Sequence, residues 1–409
     1  MGTRALLKSG RTKRIDSLLG NASATFLGRI VSASGQFACL LLIGGRLGGH
    51  ALDRYVLIFT AAGLAAALVD FGSGMWAMRE VAAARALRFA WRTKFGAFLL
   101  VVVVGLCATR TDHLSGTELA QGLAWTAVAA GTLLARGTLW GLRAHHIEAY
   151  AAALETSVQA VALVLLPTDV IEPIGPVGLA LIAYAIGLAL RAGFLLRRKV
   201  PTSSATISVA TLAPYGLQGF VTFAGMRLDV ILLYSLGTIA TPGALGGYAV
   251  ALRAYAAAPI PLEAASAALL PRLVHSVGPY VTTIRRIWLG GALAATGGVF
   301  AFMSLIPAME ASATIVAATR SVLSILIFSV GLRCGAYLLG AVVTAQGRQT
   351  ERLVAASASL VVMVLLDLIL IPYHGIVGAA WAFAVSDVVL VALYAASAAR
   401  IIRSGRTAA

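Results

Sequence analysis

Six arginines stand inside stretches that are otherwise apolar: Arg29, Arg136, Arg191, Arg227, Arg253 and Arg333. Six acids share those stretches: Asp70, Glu155, Asp229, Glu263, Asp367 and Asp387. A charge held inside a bilayer costs several kcal/mol unless it is paired or hydrated. Each of these residues therefore belongs either to an ion pair or to a site that binds a charged ligand. The planar guanidinium fork gives two hydrogen bonds to one phosphate or carboxylate. Depth, counted from the ends of the apolar runs, matches Arg29 with Asp70, Arg136 with Glu155, Arg253 with Asp229 and Arg333 with Asp387. Arg191 lies near the end of its run and is expected to snorkel to the interface. Arg227 has no acid at its level, which makes it the sharpest candidate for an anionic ligand.

Polar spacing adds two stripes. Tyr215, Gln218, Thr222, Gly225 and Asp229 recur every three or four residues and share one helical face. Arg227 points about 200° from Asp229 on a regular helix, so both face one cavity only if the helix bends, and Gly225 is where a bend is expected. Arg29, Ser32 and Gln36 form a similar stripe. Pro259 and Pro261, just before Glu263, predict a broken or kinked helix. His145 and His146 with Glu148 lack a third and fourth ligand, so no metal centre is expected. No Ser/His/Asp set, phosphate-binding glycine loop or dinucleotide fingerprint occurs.

These residues must be held by membrane helices. Of 409 residues only 12% are charged and 59% are hydrophobic, whereas a soluble domain carries about 25% charge. A spanning helix needs about 20 apolar residues. Twelve such runs are expected, at 22–44, 55–77, 95–110, 119–141, 149–166, 175–196, 211–236, 247–270, 287–306, 320–344, 353–372 and 376–399. That leaves no room for a soluble catalytic domain. With the first segment on the cytoplasmic side, 22 basic residues fall inside and four outside (Arg46, Arg54, Arg110 and Arg320). Both termini are therefore expected to be cytoplasmic, and the net charge of +16 reads as topology rather than as a nucleic-acid footprint. Arg4, Lys8, Arg11, Lys13 and Arg14 lead into an apolar run with no small-residue cleavage pattern, so a cleaved signal is not expected. Cys39, Cys107 and Cys334 lie in apolar runs and suggest no structural disulfide. The polar segment from Arg197 to Ser204 reads as a linker between two six-helix bundles, 1–200 and 201–409.

Several short motifs occur in a recognisable order. Leu27-Gly28-Arg29-Ile30, Arg46-Leu47-Gly48, Tyr55, Asp70-Phe71-Gly72 and Arg79-Glu80 come first. Asp229-Val230-Ile231-Leu232-Leu233, Gly247-Tyr248 with Ala251 and Arg253, and Leu270-Pro271 follow. Ala345-Gln346-Gly347, Ile371-Pro372, Gly375 and Gly378-Ala379-Ala380 close the series. Over nearly the whole chain this resembles the bacterial polysaccharide transporter family, the Wzx-type O-antigen flippases of the multidrug/oligosaccharidyl-lipid/polysaccharide exporter superfamily. Asp367 stands where that family often has Asn, and Ser73-Gly74 replaces a more apolar pair.

The resemblance implies an all-α integral membrane protein with two bundles around a central cavity. It implies movement of polyprenyl-diphosphate-linked oligosaccharide from the inner to the outer leaflet of the bacterial plasma membrane, with polysaccharide polymerase machinery as a further partner. Arg29, Arg227, Arg253 and Arg333, with Gln36 and Gln218, are the expected substrate-binding residues. Asp70, Asp229, Glu263, Asp387, Arg136 and Glu155 are expected to form coupling or structural ion pairs. No cofactor is expected; the drive would come from the membrane potential, H+ or Na+. The alternatives are a drug or cation antiporter or a peptidoglycan-precursor flippase of the same superfamily, or, from another class, a membrane-embedded polymerase or glycosyltransferase. The outer loops near 111–118 and 167–174 are short for such an enzyme.

Overall fold

The computed structural model describes residues 26–70, 73, 115–142, 144–197, 209–237, 241–273, 280–306 and 312–407, and every described element is helical. The first five helices are α1 (Phe26–Arg46), α2 (Gly48–Asp70), α3 (Gly116–Gly141), α4 (His145–Leu165) and α5 (Thr168–Arg197). Then come α6 (Val209–Ala224), α7 (Leu228–Ser235), α8 (Ala244–Ala257), α9 (Ile260–Leu273), α10 (Val281–Leu305), α11 (Ala313–Ala345) and α12 (Gln349–Thr407). Seven of them are long and apolar enough to cross a membrane, and α6 with α7 forms an eighth, bent by 51°. The span expected over 95–110, the linker around 200, Cys107 and the basic clusters at 4–14 and 79–94 lie outside the described residues.

The second span begins earlier than its hydropathy suggests, at Gly48 rather than 55. Gly48 takes φ +85°, which lets the chain reverse directly after α1. Asp53 and Arg54 then sit within the helix, and their charges are met by packing partners. Asp53 accepts the backbone N–H groups of Gly243 and Gly246, both at 2.7 Å. Arg54 reaches Glu118 at 3.3 Å and the hydroxyl of Tyr234 at 3.4 Å.

α12 is a hairpin. Gly375 breaks it with φ +53°. The Ser359 hydroxyl donates to the carbonyl of Ser386 at 2.8 Å, and Arg400 meets Glu351 at 3.3 Å. The two arms are thus antiparallel, as the separate runs 353–372 and 376–399 predict. α5 is likewise interrupted at Gly175, φ +70° between Pro173 and Pro176.

Two parallel packings recur along the chain. Gly28 lies against Ala149 and Gly35 against Thr156, so α1 runs parallel to α4; a Cβ at Gly28 would stand 2.7 Å from that of Ala149. Thr126 donates to the carbonyl of Ala62 at 3.4 Å, and Ala130 packs with Ala66, so α2 runs parallel to α3. In the second part, Thr319 bonds to the carbonyl of Gly247 at 3.1 Å and Tyr255 to that of Ser329 at 3.4 Å, so α8 runs parallel to α11. α6 and α7 pack on α12. Small residues let these backbones approach closely where lipid supplies no hydrophobic drive.

Candidate functional site

Both predicted breaks form. α6 ends at Ala224, and Gly225, Met226 and Arg227 turn before α7 begins. The bend swings Arg227 onto a cavity wall, whereas Asp229 is buried within α7. The prolines separate α8 from α9 at Ala258–Pro259, and Glu263 on the first turn of α9 lines two cavities.

Of three adjoining cavities, two lie between α1–α4 and the α6–α9 region, and the third is lined by residues of α6, α9, α11 and α12 and the turn after α6. A small one of about 80 Å³ is lined by Gln36, Tyr55, Phe59, Met226, Arg227 and Arg253 among others. A second, about 260 Å³, holds Arg29, Ser32, Gln36, Arg136, Trp140, Glu148 and Glu263. A third, about 340 Å³, holds Met226, Glu263, Arg333, Tyr337 and Arg352. Gln36, Met226 and Glu263 each line two of them, so the three are neighbours sharing walls.

The arginines in these cavities fall into two groups. Arg29 pairs with Glu263, both about one-third exposed. Arg136 pairs with Glu148 at 2.6 Å, and Arg333 with Asp387 at 2.8 Å. Arg227 and Arg253 make no ion pair among the described residues and rest on aromatic rings instead. Arg227 lies 5.2 Å from the Phe59 centroid and 4.9 Å from that of Phe223, and Arg253 lies 5.5 Å from Phe59. Arg352 is held by the Thr344 hydroxyl at 3.0 Å and, with its oxygen turned to the guanidinium, by the Gln218 amide at 3.0 Å.

Of the pairs expected from depth, only Arg333 with Asp387 forms. Arg29 turns to Glu263 because the α8–α9 break brings that residue across from the other half of the chain; Asp70 instead accepts from Ser73 at 2.7 Å. Asp229 accepts from the Tyr248 hydroxyl. Tyr248 and Arg253 are five residues apart, about 140° around one helix, so Asp229 and Arg253 face different neighbours. Glu155 is taken by Arg191, which also grips Glu148 at 2.6 and 3.0 Å. Glu148 and Glu155 are seven residues apart and lie on one face of α4, with Arg191 reaching both. Arg191 is thus fully buried in a four-charge network, not snorkelling.

Gln36 faces the cavities as expected and donates to the Tyr184 hydroxyl at 3.0 Å. Gln218 is buried beside Arg352 rather than on a cavity wall. Both oxygens of Asp367 are buried without a hydrogen-bond partner among the described residues. Arg352 was hidden by its position at the end of the short segment between the apolar runs 320–344 and 353–372, which the charge count places on the cytoplasmic side. One signal was available: Arg352, Ala356, Ser359 and Met363 recur at spacings of four and three, and all line the third cavity.

Neither a protein-family model nor a curated protein matches the sequence. Solved structures do. The lipid II flippase MurJ in an inward closed conformation superposes with a TM-score of 0.72 at 12% identity, over 93% of this chain and 87% of that one. An inward-facing multidrug resistance MATE family transporter of the MOP superfamily gives 0.66 at 17% identity, over 92% and 96%. This chain has the same fold as these two proteins. A further match is a MOP superfamily transporter from Pyrococcus furiosus described by the reversed polarity of its binding pocket, with a TM-score of 0.59 at 16% identity over 94% and 95%. The all-helical membrane architecture expected from the sequence is therefore present.

Proposed function

We propose that this protein is a flippase for a lipid-linked oligosaccharide whose headgroup is a diphosphate. The carrying observation is the Arg227–Arg253 pair. Two guanidiniums line one cavity, share the Phe59 ring and have no carboxylate partner among the described residues. Like charges brought together out of water repel, and an anion with two charges relieves that cost. A cation or drug antiporter would need the opposite polarity. MurJ, which shares this fold, is a lipid II flippase, which supports a lipid-linked cargo; whether the glycan here is a polysaccharide repeat or a peptidoglycan precursor is a question of sugars.

In this reading residues 1–200 and 201–409 are two bundles that rock about the cavity. The parallel pairs α1 with α4 and α2 with α3 within 1–200, and the parallel pair α8 with α11 and the packing of α6–α7 on α12 within 201–409, support that division. Asp53 capping α8 and Arg29 paired with Glu263 are contacts between the bundles at opposite ends, and these would break alternately. The site lies in the bacterial plasma membrane with both termini cytoplasmic, and polymerase machinery receives the product. Moving a dianion outward, away from a negative interior, gains about 2.3 kcal/mol per charge per 100 mV. H+ or Na+ at Asp229 or Glu263 is the alternative drive.

The test is the sidedness of lipid-linked oligosaccharide in cells lacking the gene, probed with an impermeant sugar-modifying reagent. Cargo accumulating on the cytoplasmic leaflet supports the flippase. Normal sidedness with lost polymer indicates a polymerase or scaffold. In complemented cells, Arg227→Gln and Arg253→Gln are expected to lower flipping at least tenfold; parent rates for both would end the cationic-cavity reading.

A further inference from the structure

The third cavity is built differently from the other two. Its floor is the α11 and α12 face that carries Tyr337, Ser359, Ser386 and Tyr394, and its charged members are Arg333, Arg352 and Glu263. Such a hydroxyl-rich wall suits a sugar, whose many O–H groups need both donors and acceptors. The volume, about 340 Å³, lies at the small end of the range for ligand pockets, roughly 300–1,000 Å³.

The charges within it are not equivalent. Arg333 is neutralised by Asp387, which also accepts from the Tyr255 hydroxyl. Glu263 is neutralised by Arg29 from the neighbouring cavity. Arg352 makes no ion pair among the described residues. Its partners are neutral: Thr344 on Nη1 and the buried Gln218 amide on Nε and Nη1. They engage Nε and Nη1, and among the described residues Nη2 is left to donate. A held arginine with one nitrogen to spare and no counter-charge favours a carboxylate oxygen, which accepts a charge-assisted hydrogen bond.

Position decides what that carboxylate belongs to. Met226 separates this cavity from the Arg227–Arg253 site. A diphosphate held there places its attached sugars within reach of the third cavity. We infer that this cavity is the glycan subsite and that Arg352 makes it selective for an acidic sugar, one bearing a carboxylate such as a uronic acid. The inference rests on the flippase reading and adds the chemical class of the sugar. Sequence alone placed Arg352 in a cytoplasmic loop and assigned it nothing.

The experiment compares two short-chain probes, citronellyl diphosphate carrying a disaccharide that ends in glucuronic acid and the same molecule ending in glucose. Binding to the purified full-length protein is measured for the parent, Arg352→Gln, Arg352→Lys and Arg227→Gln, with a melting curve for each. The parent is expected to prefer the acidic probe about 10- to 100-fold, the range of one charge-assisted hydrogen bond. Arg352→Gln removes that preference by weakening the acidic probe alone, Arg352→Lys keeps part of it, and Arg227→Gln weakens both probes equally. Equal loss of both probes in Arg352→Gln would assign this arginine to the diphosphate and overturn the inference. An undiminished preference in that variant would overturn it too. A parent that binds neither probe would instead overturn the flippase reading on which it stands.

Discussion

Asp53→Asn tests whether, in the proposed rocking cycle, one end of the protein is held shut by a helix cap between residues 1–200 and 201–409. Asp53 on α2 accepts from the N–H groups of Gly243 and Gly246 at the start of α8, both at 2.7 Å. These N–H groups have no partner within their own helix, and the helix dipole adds to their pull on an anion. A hydrogen bond to a charged group is worth about 1.5–3 kcal/mol net and a neutral one about 1 kcal/mol. Two charged bonds become a single neutral one, because the Asn amide offers only one acceptor. The expected loss is about 2–5 kcal/mol, which is roughly a 30- to 4,000-fold shift in the open-to-closed ratio of that end. The assay is labelling of Thr241→Cys, beside the cap, by an impermeant maleimide, in a background with Cys39, Cys107 and Cys334 replaced. Asp53→Asn is expected to raise the labelling rate at least tenfold while the melting temperature changes little. An unchanged rate would mean that the cap does not control this end. The close approach of Gly49 to the Gly243 backbone, with 2.8 Å left for a Cβ, would then be the closure.

Other substitutions give distinct outcomes. Arg191→Met leaves Glu148 and Glu155 buried without their shared partner, and a melting curve should show a loss of about 3–5 kcal/mol. Gly375→Ala forces a side chain into φ +53° at the hairpin of α12, which should cost about 1–3 kcal/mol by the same measurement. Gly28→Val drives a branched side chain into Ala149 of α4; it should lower the yield of folded protein on size-exclusion chromatography, whereas Gly297→Val, with open space around it, should not.

The helices were legible because a bilayer demands long apolar runs, and their ends were set by glycine and proline. The bend at Gly225 and the break at Pro259–Pro261 followed from residues that cannot continue a helix. The ion pairs were much less legible. Depth in the membrane is one coordinate, and a pair needs a second, the direction each residue faces around its helix. Arg29 found Glu263 rather than Asp70 because the partner was some 230 residues away on a helix whose break had turned it inward. Arg191 escaped notice as a core residue because one arginine can satisfy two glutamates on one face. Arg352 shows the opposite error, a charge assigned to solvent by its place in the chain although Gln218 holds it against a cavity.

The sharing of Phe59 by Arg227 and Arg253 has a consequence for the lipids that surround the protein. The common anionic phospholipids present one negative charge to a binding site. Seated beside two uncompensated guanidiniums, such a lipid would leave one of them buried and unanswered, so the site gains little by admitting it. A diphosphate bridging lipid and sugar carries two. On the proposed flippase reading the arginine pair works as a counter of charge, and it lets a rare cargo be picked out of a vast excess of membrane lipid before any sugar has been examined.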